Sequence, residues 1–136
     1  MIIGIHHIAI SVENLDTAVS FYQNAFGFEV VQTSDFNKNK LVDAAIGLTD
    51  AEARMAMLKA PNAFVELWEY VHPQPKDLRS RPCDYGYPHF ALQVSNIDDE
   101  YDRLIKAGMT FAGEVVHFTK ETAAIYGKDP FGNIIE

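Results

Sequence analysis

The apolar and polar positions of the 136-residue chain fall into a short alternating stretch followed by a helical one, and this succession occurs twice. From His7 to Val12 the residues alternate. Ile8, Ile10 and Val12 lie on one side and His7, Ala9 and Ser11 on the other, the period of a strand with one buried face. Leu15, Ala18, Val19, Tyr22 and Phe26 then recur at helical spacing, with Asn14 placed to cap that helix and Gly27 to end it. The second occurrence sets Phe90, Leu92 and Val94 against His89, Ala91 and Gln93. Its helix carries Ile97, Tyr101, Leu104 and Ile105 between a cap at Ser95 or Asn96 and a stop at Gly108. Further strands are predicted at 28–33, 54–58 and 62–70 after the first helix. After the second they are predicted at 110–116 and 121–126, with a last one ending at Glu136. Residues 72–88, HPQPKDLRSRPCDYGYP, read as a linker because of their prolines. Residues 35–53 break the strand pattern. Their NKLVDAAIGL suits a short helix, and the whole stretch suits a flap over a cavity.

The two occurrences are copies. Displacing the chain by 82 positions lays HIAISVENLDTAV over HFALQVSNIDDEY, with identities at His7/His89, Ala9/Ala91, Val12/Val94, Asn14/Asn96 and Asp16/Asp98. Ile8, Ile10 and Leu15 meet Phe90, Leu92 and Ile97, so the apolar pattern is kept as well. An internal repeat organises the fold around it. One domain, 1–136, is expected, with a first module at about 1–71, the linker at 72–88 and a second module at about 89–136.

Composition narrows the functional classes. Hydrophobic residues at 48% and charged residues at 22% supply a core and argue against disorder. A net charge of −8 and a pI near 5.0 argue against nucleic acid, which demands a Lys/Arg face. Cys83 is the sole cysteine, so neither an internal disulfide nor a cysteine zinc site is available. The apolar start, Met1 to Ile10, lacks a basic leader and reads as a strand rather than a signal peptide. No apolar run reaches the roughly 18 residues of a membrane span. The expected location is the cytoplasm.

The duplication turns two histidines into a metal hypothesis. His7 and His89 head equivalent strands on the face away from the predicted core. The last strand of each copy supplies a carboxylate. In FVELWEY, Glu66 shares a face with Phe64 and Trp68; in GNIIE, Glu136 shares one with Ile134, after the turn signal DPFGN. A carboxylate among large apolar side chains is costly to bury alone. Two histidines and two glutamates suit Zn²⁺, Ni²⁺, Co²⁺, Fe²⁺ or Mn²⁺, and on an octahedral ion they leave two adjacent positions for a chelating substrate. His6, expected on the helix-packing face, His72, at the start of the linker, and His117, without a counterpart in the repeat, are set aside as structural.

These features resemble the vicinal oxygen chelate superfamily, which includes glyoxalase I, methylmalonyl-CoA epimerase, extradiol dioxygenases and the bleomycin and fosfomycin resistance proteins. HHIAISVENLDTAVSFYQNAFGFEVV is similar to its opening pattern, and FVELWEY, HFALQVSNIDDEYDRLIKAG and DPFGNIIE to its later landmarks, in order. The resemblance implies an α+β fold of two tandem βαβββ modules forming a cupped open barrel, usually within a homodimer. It also implies one divalent metal ion on His7, Glu66, His89 and Glu136. The chain stops at Glu136, where family members continue the strand, which predicts a frayed final ligand. A glutamate at position 66 points towards the glyoxalase-like pattern. The implied activity is a lyase or isomerase working on a small substrate with vicinal oxygens through an enediolate, with Glu66 or Glu136 as the base. Arg54, Arg79 and Lys128 are the cations available to a glutathione carboxylate, and Phe64, Trp68 and Tyr126 the aromatic candidates for a pocket. The alternatives are an epimerase of a sugar-like or acyl-CoA substrate, then an extradiol dioxygenase, then a non-catalytic drug-binding protein.

Overall fold

A computed structural model describes all 136 residues, which divide into two compact units, Met1–Lys76 and Asp77–Glu136. The boundary falls inside the proline-rich stretch.

In the first unit the order is β1 (His7–Ser11), α1 (Leu15–Phe26), β2 (Glu29–Asn37), α2 (Lys40–Ile46), β3 (Glu52–Lys59) and β4 (Phe64–His72). The four strands form one sheet in the order β1-β4-β3-β2, with β1 parallel to β4 and the other pairs antiparallel. Alternation assigns the two faces. Ile8, Ile10, Val65, Leu67, Leu58 and Ala56 share the side on which α1 packs, and Val65, Leu67, Leu58 and Ala56 are buried there beside Leu15, Ala18 and Tyr22. His7, Glu66, Trp68, Tyr70, Met55 and Met57 share the other.

Asn14 caps α1 by accepting from the Thr17 N–H at 2.9 Å, and Gly27 ends it in the left-handed region at φ 70°. A second acceptor at this end comes from the sheet: Glu69 Oε2 takes the Leu15 N–H at 2.6 Å. Arg54, opposite Glu69 on β3, clasps Asp16 through two nitrogens at 2.8 and 3.2 Å. The guanidinium holds the Asp16 carboxyl below its usual range. Strand β2 runs four residues past the predicted end, across a register shift between Val30 and Gln32, and β4 extends to His72. The expected 35–53 interruption thereby shrinks to a connection carrying α2, which Asn39 caps.

The second unit contains β5 (His89–Phe90), α3 (Ile97–Ala107), β6 (Thr110–Phe111), β7 (Val116–His117), β8 (Ala123–Ala124), β9 (Gly127–Lys128) and β10 (Ile134–Ile135). Its main sheet has the order β5-β10-β9-β6. First strand beside last, last beside penultimate, second at the far edge: this is the topology of the first unit, again with the first and last strands parallel. Its strands are shorter than predicted, because 110–116 and 121–126 resolve into pieces of which β7 and β8 form a separate hairpin. Asn96 caps α3 and Gly108 stops it, as the spacing predicted. The DPFGN turn closes on Asp129, a buried carboxylate that accepts from the N–H groups of Phe131 and Asn133 and from the Asn133 side chain at 2.8–3.0 Å.

Candidate metal centre

The topology delivers each candidate pair by the same route. Parallel pairing sets His7 opposite Phe64 and Ala9 opposite Glu66, so histidine and glutamate stand one step apart on neighbouring strands and on one face. In the second unit His89 stands opposite Ile134, and Glu136 bonds through its backbone to Phe90 and Leu92, flanking Ala91. The register is the same. The frayed end predicted for Glu136 is not found: its N–H donates to Phe90 at 2.9 Å and its carbonyl accepts from Leu92 at 2.8 Å.

His7 Nε2 lies 3.4 Å from Glu66 Oε2, and His89 Nε2 lies 3.2 Å from Glu136 Oε2. Two ligands bound to one ion at about 2.1 Å and roughly at right angles stand about 3 Å apart, so each pair has the separation of adjacent ligands. The candidates come together two by two. No group of three or more His, Cys, Asp or Glu side chains forms.

The surroundings of the pairs differ. In the first unit Trp68 Nε1 donates to Glu66 Oε2 at 3.1 Å, and His6 Nδ1 lies 2.8 Å from His7 Nδ1. One of those two nitrogens carries the proton; when it is His7's, the Nε2 lone pair is left to face Glu66. His6 is therefore exposed beside Phe64, with ring centroids 5.2 Å apart, and not on the helix-packing face. Alternation does not reach it, because β1 begins only at His7. In the second unit the Tyr126 ring stands edge-on to His89 at 4.9 Å, its hydroxyl 3.4 Å from Nε2. Desolvation first, then the charge of Glu136 and a hydrogen bond to it, raise the Tyr126 hydroxyl above its usual pKa. Desolvation and the charge of Glu66 do the same to Tyr70. His89 Nδ1 is buried without a hydrogen-bond partner. Within each unit an imidazole nitrogen and a carboxylate oxygen at ligand spacing are donors of the kind that suit a divalent ion.

The remaining candidates separate cleanly. Arg54 belongs to the helix side, tied to Asp16, and Arg79 is clasped by Asp77 at 2.7 and 2.8 Å while donating to the Phe131 carbonyl. Lys128 pairs with Ile134 on the sheet of the second unit. Phe64 lines an open hollow of about 270 Å³ with His6 and Lys59. From the sequence His6 is set aside as structural and Glu69 is given no role. For Glu69 a signal existed: three positions from Glu66 on a strand, it faces the opposite side.

No helix is long and apolar enough to cross a membrane. A relative from an Actinomyces species, 2-epi-5-epi-valiolone epimerase, is 31% identical, the match covering 98% of this chain and 78% of that protein. The metallothiol transferase FosB of Shouchella clausii is 28% identical, over all of this chain and 80% of its own. The crystal structure of a glyoxalase family protein from Bacillus cereus superposes with a TM-score of 0.88 at 26% identity, covering 99% of this chain and 92% of that one. A family model matches residues 4–136. With the repeat, the shared strand order and this match together, the chain belongs to the Glyoxalase/Bleomycin resistance protein/Dioxygenase superfamily and has its α+β glyoxalase-like fold.

Proposed function

We propose that the protein is a metal-dependent isomerase or lyase that moves a proton on a small substrate with vicinal oxygens, with His7, Glu66, His89 and Glu136 as its divalent-ion ligands. The observation that carries this reading is the same His–Glu pair, at the same register and at ligand spacing, in both copies of the repeat. A divalent ion held by these residues would supply Lewis acidity, polarising a substrate carbonyl and acidifying the adjoining C–H. The chain's own contribution is the base. Glu66 is 12% exposed and held by the Trp68 N–H, whereas the Glu136 side chain is 29% exposed, so Glu136 is assigned the proton and Glu66 the fixed position. In a lyase or isomerase the same carboxylate would return the proton to the neighbouring carbon, whereas in an epimerase a second donor would return it to the opposite face of the same carbon.

Within this class the epimerase reading comes first. It is supported by the epimerase relative and by the two arginines, since Arg54 and Arg79 are both engaged by carboxylates and neither is at the disposal of a glutathione carboxylate. The lyase reading on a glutathione adduct is second. Metal analysis by mass spectrometry of the untagged protein should find about one divalent ion per chain, lost in His89→Ala. The loaded protein should incorporate solvent deuterium next to the carbonyl of a cyclic polyol ketone. A chain that retains no ion, and takes up none of Ni²⁺, Co²⁺, Zn²⁺, Fe²⁺ or Mn²⁺, overturns the proposal.

A further inference from the structure

We infer that Trp68 is a positioning residue for Glu66: its indole N–H, set in a stack of three aromatic rings, fixes the carboxylate oxygen that faces His7. The inference rests on the metal-ligand reading above. Trp68 follows Glu66 by two residues on the same face of β4, so its side chain stands beside the carboxylate. Nε1 donates to Oε2 at 3.1 Å, and that same oxygen lies 3.4 Å from His7 Nε2. An indole N–H donates and never accepts, so it holds a carboxylate without competing for an ion.

The indole is itself held. The Phe36 ring lies 5.4 Å from it at 19°, and the Tyr70 ring 5.4 Å from it at 13°. Phe36 comes from β2, two strands away. Between Phe36 and Tyr70 the row across the sheet is occupied by Ala53, whose methyl leaves the rings room to lean towards Trp68. Offset, near-parallel stacking of this kind restrains the indole plane, and the plane aims the N–H. Packing alone would be served by phenylalanine at position 68; the N–H is what phenylalanine lacks. Outer partners that orient metal ligands contribute about 10–100-fold to metal affinity.

The chain holds one tryptophan, so a ¹⁵N spectrum contains one indole N–H resonance. In the metal-free protein Glu66→Gln should move that resonance and speed its exchange with solvent. Trp68→Phe should fold as the parent does and bind Zn²⁺ at least about tenfold more weakly in chelator competition. An unmoved indole resonance in Glu66→Gln, or parent-like Zn²⁺ affinity in Trp68→Phe, overturns the inference while leaving the metal assignment standing. A parent that binds no Zn²⁺ overturns both. Should Trp68→Phe fail to fold, the Glu66→Gln spectrum decides alone, because that variant keeps all three rings.

Discussion

Glu69→Ala tests whether the second glutamate of ELWE is a strut, as its position under the helix start indicates. Leu15 is the first residue of α1, and its N–H is one of the four that a helix cannot satisfy internally. Asn14 serves Thr17, so the Leu15 N–H depends on Glu69 Oε2 at 2.6 Å. Leu15 is 4% exposed, which leaves little access for a replacing water. Stranding a buried donor costs about 1–3 kcal/mol, and removing a carboxylate from the positive end of a helix costs about 0.5 kcal/mol more. The Arg54–Glu69 contact, at 3.7 Å, adds little, because Arg54 keeps Asp16. The expected loss is about 2 kcal/mol, a fall in melting temperature of roughly 6–10 °C for a chain of this size. Glu69→Gln keeps an acceptor but not the charge and should lose about half as much. Urea titration followed by circular dichroism measures both, and metal content measured alongside should match the parent. A Glu69→Ala loss below about 0.5 kcal/mol refutes the strut, and lost metal binding refutes the division of labour between the two glutamates.

Two further perturbations probe the second unit. Asp77, clasped by Arg79, is lowered to about 2. A depressed folded value means that the clasp contributes fully above the ordinary carboxylate range and is lost as pH falls from about 4 towards 2. In Arg79→Gln the Asp77 titration, followed by NMR, should rise towards about 3.9 but stay below it, because the backbone N–H of residue 79 still donates to Asp77 Oδ1. Gly127 lies opposite Phe111, and a Cβ there would meet two ring carbons at 2.7 Å and the Thr110 carbonyl at 3.0 Å. Gly127→Ala should cost about 1–3 kcal/mol by overpacking, and Phe111→Leu in the same chain should recover part of it. Equal stability of Gly127→Ala and parent in urea would count against this packing.

Periodicity and repetition made the helices and the two His–Glu pairs legible. The starts of α1 and α3 carry an asparagine at the cap and their ends a glycine, and strand alternation grouped His7 with Ala9 and Ser11 and Glu66 with Phe64 and Trp68. Pairing was harder to read. A strand's period assigns faces but does not name neighbours, so the register that brings Glu66 one step from His7, and the shift between Val30 and Gln32, left no mark in the pattern. His6 was misplaced because parity was extended past the strand's first residue. The strands of the second unit were drawn too long because apolar residues in β7 and β8 serve a separate hairpin. Trp68 was read as a pocket wall, since composition reveals a large apolar ring and not where its one polar hydrogen points.

The parallel pairing of first and last strands has a consequence for how each unit is held shut. His7 and Glu66 are about 60 residues apart along the chain, and His89 and Glu136 nearly 50. An ion gripping such a pair acts as a crosslink between the two ends of a unit, and crosslinks over loops of this length remove about 4 kcal/mol of chain entropy from the unfolded state in the case of a disulfide. Contacts so distant in sequence also form late and slowly. A metal held by such a pair would be taken up at the last stage of folding and would slow the first stage of unfolding, and a chelator would then shorten the lifetime of the folded chain.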